Sequence, residues 1–118
     1  VNGNIKANGF KIPVILFGNV NRNGSVEDAG SGGWSSSKTD SNPGKYTITF
    51  TTSFSSKPTV IITQVYPGFT TANGHGVGNL KDGFLVNGID TGRFFCSMGD
   101  GNGSLSNREF SFMVMGYI

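Results

Sequence analysis

The stretch KYTITFTTSFSSKPTVIITQV, residues 45–65, constrains the fold more than any other. In its first half Tyr46, Ile48 and Phe50 fall on one side of an extended strand, and Thr47, Thr49 and Thr51 on the other. That period of two marks a sheet with one wet face. Its second half breaks the rule, because Val60, Ile61 and Ile62 are consecutive and a strand there offers apolar groups to both faces. The doubling recurs. PVILFG is apolar at four consecutive positions, RFFCSM sets Phe94, Cys96 and Met98 opposite Phe95, and REFSFMVMGYI sets Phe110, Phe112 and Val114 opposite Met113, Met115 and Tyr117.

A two-layer sandwich gives each strand one inner and one outer face, so a single core cannot hold both sets. Leaving Ile61, Val65, Met113, Met115 and Tyr117 in water would forgo roughly 1.5–3 kcal/mol of burial per large side chain. It would also create a patch of the size at which a monomer becomes adhesive. The sequence therefore predicts an oligomer interface built from these five residues, which a closed cyclic arrangement such as a threefold one would bury, the other reading being long loops that cover one or two of them. The Thr row of strand 44–54 is then an ordinary solvent-facing surface.

No window carries the three-and-four spacing of an amphipathic helix. Strands are predicted at 12–20, 24–28, 33–39, 44–54, 58–66, 83–89, 92–98 and 108–117. Asn-Gly pairs begin at Asn2, Asn8, Asn23, Asn73, Asn87 and Asn102, and those at 23 and 102 suit hairpin tips, which need positive φ. SNPG at 41–44 turns one strand back on the next, and Pro58 opens its strand where a missing N–H does least harm. About eight short antiparallel strands read as an all-β sandwich or jelly roll over residues 12–118. Residues 1–11, VNGNIKANGF and Lys11, precede it.

The net charge of +2, with nine Lys and Arg scattered along 118 residues, does not suggest nucleic acid. No run of about eighteen apolar residues suggests membrane insertion. With one cysteine the chain has no intrachain disulfide, so stability must come from the core or from partner subunits, which fits assembly in a cytoplasm before release. Cys96 itself reads as inert core or interface. The opening at Val1, without an initiator Met or a signal peptide's apolar segment, reads as a piece cut from a longer chain.

Several of these residues resemble a known pattern. Gly18 to Asn21 with Gly24, then Gly33-Trp34, then Gly44, Tyr46, Ile48 and Phe50, then Phe54, Pro58 and Val60 resemble carboxy-terminal heads of bacteriophage and prophage-type tail fibres and of bacterial collagen-like surface proteins. SNREFSFMVMGYI is similar to their closing strand, the related C1q-like, tumour-necrosis-factor-like and H-type-lectin jelly-roll trimers share parts of the pattern, and PGKYTITF is the main echo of the C1q-like heads. The resemblance implies a homotrimeric, receptor-binding head on a virion tail fibre or bacterial extracellular surface, touching a cell-surface saccharide. It also implies that residues 1–11 are the end of a shaft or linker. The alternative it leaves is a purely structural trimerisation cap with no ligand. The loop YPGFTTANGHGVGNLKDG departs from the pattern.

No convergent acid, base or nucleophile set is evident, so neither an enzyme nor a cofactor is expected. His75, the only histidine, sits between glycines without an orienting partner. It reads as an exposed loop residue, with a metal contact at a symmetry axis as a weaker reading and no metal site otherwise. DGNGS at 100–104 starts like a calcium loop, but Leu105 and Ser111 replace the Gly and Glu that loop requires. Sugars are held by aromatic faces and by amides or charges on their hydroxyls. The best supply lies in loop 66–82, with Tyr66, Phe69, Asn73, His75, Asn79 and Asp82, a long connection of the kind that often carries function. Trp34 is either a second platform or a core anchor, and the resemblance favours the core. Arg93 and Arg108 stand at strand ends, where each either reaches a ligand or solvates an edge.

Overall fold

A computed structural model describes residues 6–7, 10–39, 41–67 and 78–118 of the chain. In chain order the strands are β1 (Lys6–Ala7), β2 (Phe10–Lys11), β3 (Val14–Val20), β4 (Val26–Asp28), β5 (Trp34–Lys38), β6 (Lys45–Phe50), β7 (Thr59–Val65), β8 (Phe84–Ile89), β9 (Arg93–Met98) and β10 (Glu109–Gly116). β1 and β2 form a short antiparallel ribbon. The other eight make two four-stranded antiparallel sheets, ordered β4-β3-β10-β7 and β5-β6-β9-β8. No helix occurs among the described residues.

The chain changes sheet at β4–β5, β6–β7, β7–β8 and β9–β10, so each hydrophobic row of one sheet meets one of the other, as in a sandwich with jelly-roll-like crossings. Each of the eight predicted strands is present. The one predicted at 44–54 stops at Phe50, where Thr51 donates to Gly33 O and Phe54 donates to Thr91 O instead of continuing the ladder. Phe54 nonetheless stays in the core. The turns use their glycines as the sequence requires: Gly24 and Gly103 have φ near +91° and +79°, and Gly44 +73°.

The core is aromatic. Tyr46, Ile48 and Phe50 of β6 face Phe110, Phe112 and Val114 of β10, joined by Phe94, Cys96 and Met98 of β9. Phe94 meets Phe112 edge-on at 5.5 Å, and Tyr46 meets Phe110 at 5.0 Å, geometries that add to simple burial. Trp34 corrects the binding-platform reading. It is buried, its ring 4.7 Å from Phe112, and its Nε1–H donates to Phe17 O and Ala29 O. Gly18 is the hole into which that indole fits, since a Cβ there would lie 2.1 Å from Trp34 Cζ2.

Candidate functional site

Three surfaces emerge from this frame. The first is the outer face of the β4-β3-β10-β7 sheet. Because Val14, Leu16, Phe110, Phe112, Val114, Val60 and Ile62 point inward, the alternate residues must point out. Register then lines up Phe17, Met113 and Ile61 across three strands, with Ile15 and Met115 beside them. Phe17 is 48% exposed, Ile61 58% and Met113 42%, which makes a continuous apolar ladder on the surface of a single copy. Val65 is exposed as well, whereas Met115 and Tyr117 are half-buried, Tyr117 beneath the Lys11 ammonium at 5.1 Å. In the sequence, only the run PVILFG signals Phe17 and Ile15.

Next to the ladder the face turns polar. Ser111 donates to Asn19 Oδ1 at 2.5 Å, with Thr63 completing that row. A register shift opposite Asn19 and Val20 leaves Glu27 as the extra residue of a bulge. Its carboxyl reaches Glu109, whose pKa is raised by burial, by the Glu27 charge and by the hydrogen bond between the two.

The second surface gathers part of the predicted loop site. Asp82 accepts from Asn79 N–H at 2.7 Å, and its Oδ1 lies 3.0 Å from Arg108 Nη1, both side chains nearly buried. That approach is an ion pair but too poorly angled for a hydrogen bond, so Oδ1 has no hydrogen-bond partner among the described residues. Arg108 also donates to Gln64 Oε1 at 2.9 Å and lies 5.5 Å from the Tyr66 ring centroid. Gln64 Nε2 in turn donates to Gly83 O and Gly99 O. Tyr66, Asn79 and Asp82 are therefore together, but Asn79 and Asp82 spend their polar groups within a knot that ties β7 to the loops around β8 and β9.

Beside the knot is a groove of about 400 Å³, lined chiefly by Asn21, Arg22, Tyr66, Asn107, Arg108 and Glu109. Tyr46 fixes its floor, accepting from Arg108 N–H and donating to Arg22 O at 2.7 Å. Burial pushes that phenol's pKa up. Arg22 makes no ion pair among the described residues. Arg22 and Asn107 carried no sequence signal, while Gln64 did: it is the polar residue in the inward row Val60, Ile62, Gln64. Phe69, Asn73 and His75 lie outside the described residues.

The third surface is the outer face of the β5-β6-β9-β8 sheet. Ser35, Ser37, Thr47, Thr49 and Ser97 point outward there, around Phe95. Arg93 belongs to this surface and not to the knot, being at the opposite end of β9. Its guanidinium lies 5.0 Å from the Phe95 ring centroid and pairs with Asp90 at 3.4 Å. Cys96, directly behind, is buried, and burial pushes its thiol up to about 12, so it has no nucleophilic role at neutral pH. In the turn 100–104, Asp100 Oδ1 accepts from Asn102 and Ser104 N–H, which lowers its pKa and closes the turn.

No family model, curated protein or solved structure matches the chain.

Proposed function

We propose that this domain is a non-enzymatic, self-associating head at the tip of a virion tail fibre or bacterial surface fibre, which attaches to a cell-surface saccharide. The observation that carries the reading is the ladder Phe17–Met113–Ile61 with Ile15 beside it. Side chains of this size, each about half exposed, amount to about 400 Å² of contiguous apolar surface, within the roughly 300–600 Å² of the largest patch on a soluble protein, which is often a functional one. A homotrimer that closes this sheet around its axis leaves the other sheet and the polar end of each sandwich facing outward, where a receptor can reach them. The end groove and the polar sheet both offer amides, hydroxyls and cations suited to sugar hydroxyls.

The self-contained hydrogen bonding of the Arg108–Asp82–Gln64 knot favours one second reading, a structural cap that registers shaft chains and holds no ligand. A saccharide array probed with the purified domain, together with a turnover assay on the same glycans, separates the readings. Saturable binding without turnover is the expected result. Absence of binding to every saccharide leaves the cap, and turnover refutes both.

A further inference from the structure

The two sheets differ in charge. The strands β5, β6, β8 and β9 contain Lys38, Lys45 and Arg93 and no Asp or Glu, whereas β3, β4, β7 and β10 contain Glu27, Asp28 and Glu109 and no Lys or Arg. Of the cations, Lys45 and Arg93 are on the outer face of their sheet, and Arg93 is offset by Asp90. Lys45 makes no ion pair among the described residues.

Around Lys45 the outer face is hollowed. A cavity of about 290 Å³ is bounded by Lys45, Thr47, Asn87, Phe95 and Ser97. Its cause is local. The register between β8 and β9 shifts between Val86 and Gly88, which sets Gly88 opposite Phe95. With no side chain at Gly88, nothing from β8 covers that flank of the ring, and a Cβ there would sit 3.6 Å from Phe95 Cδ2. The same bulge turns the Asn87 amide toward the hollow, where its Oδ1 accepts from Ser97 Oγ at 2.6 Å and its Nδ2 has no partner among the described residues. Bulges and strand glycines of this kind mark places where a side chain is re-aimed or a ligand approaches closely. Arg93 holds the Phe95 ring but does not line the hollow.

We propose that this hollow binds one sugar unit carrying an acidic group, its C–H face against Phe95, its hydroxyls on Asn87, Thr47 and Ser97, and its acid on Lys45. The proposal rests on the saccharide-binding reading above and names its site and ligand class. An aromatic wall, an open amide and hydroxyls within one small cavity match a ring that is apolar on its faces and polar at its rim. An unpaired ammonium on a sheet without carboxylates selects for a negative substituent. A neutral sugar leaves Lys45 without a partner, and a simple polyanion leaves Phe95 and Asn87 without one.

The test measures binding of the whole domain to polygalacturonate, to its methyl ester and to polyglutamate, for wild type and for Phe95→Ala, Lys45→Gln and Gly88→Val, each checked for an unchanged thermal transition. Gly88→Val crowds the open flank of the Phe95 ring without removing a contact, so it answers the question even if Phe95→Ala unfolds. The expected result is binding to polygalacturonate alone, weakened about five- to thirtyfold by Phe95→Ala or Gly88→Val and a few-fold by Lys45→Gln. Equal binding to polyglutamate, equal binding to the ester, no binding to polygalacturonate, or variants that bind like wild type would each overturn the site. If the domain holds other saccharides on an array regardless of these variants, the site falls and the adhesive reading stands. If it holds none, the adhesive reading falls with it.

Discussion

The ion pair between Arg108 and Asp82 is the point at which the knot can be tested quantitatively. Its side chains are 11% and 6% exposed, so their charges interact with little screening by solvent. Removing one partner of such a pair leaves the other charge buried and costs about 3–5 kcal/mol. The absence of an aligned hydrogen bond at Asp82 Oδ1 places this pair at the lower end, about 3 kcal/mol for Arg108→Met. That loss also includes the Gln64 hydrogen bond and the packing on Tyr66. Asp82→Asn keeps an acceptor for Asn79 N–H while removing the charge. In the double variant neither charge is left unpaired, so its loss should fall short of the summed single losses by more than about 1 kcal/mol. Urea unfolding of the four proteins reads this directly, provided the slope with denaturant is unchanged. Losses that add to within about 0.5 kcal/mol would refute the view that the two charges hold one another.

Three further outcomes follow from the core and the polar rows. Gly18→Ala should destabilise the domain by about 1–3 kcal/mol in urea melts, because Trp34 must leave its slot, and a neutral result would contradict the fit. Cys96 should resist a thiol reagent at pH 8 in the native state and react at once in denaturant, as burial raises its pKa to about 12. Glu109 has a folded pKa above its ordinary value of 4.5, so its stabilising contribution is complete below that value and is lost as pH rises through the folded pKa. Glu109→Gln should therefore be more stable than wild type at pH 7 and lose that advantage below about pH 4.5, as thermal unfolding at the two pH values will show.

Much of the fold was legible because burial leaves a period in the sequence. The rows Tyr46-Ile48-Phe50 and Phe94-Cys96-Met98 announce their inward faces, and Ile61 and Met113 announce a second apolar face, because nothing else accounts for two oily sides. The site was less legible because it depends on where chain ends meet. Arg108 is 26 residues from Asp82 and 44 from Gln64, and only the antiparallel pairing of β7 with β10 beside the loops around β8 and β9 brings them together. The bulge at Asn87-Gly88 was hidden for a different reason: an Asn-Gly pair signals a hairpin tip, yet here cross-strand pairing holds it inside β8. Trp34 shows the ambiguity of a lone aromatic, settled by Gly18 sixteen positions away on β3 of the facing sheet rather than by its neighbours in sequence.

Self-association through the ladder is the claim on which the functional account depends, and sedimentation tests it without reference to any ligand. Covering the four half-exposed side chains Ile15, Phe17, Ile61 and Met113 is worth about 3–6 kcal/mol per copy before the costs of association. Wild type should sediment at micromolar concentration as a homotrimer, and Ile61→Lys combined with Met113→Lys should give a folded single subunit. A wild-type protein that stays monomeric and soluble at those concentrations would contradict the account.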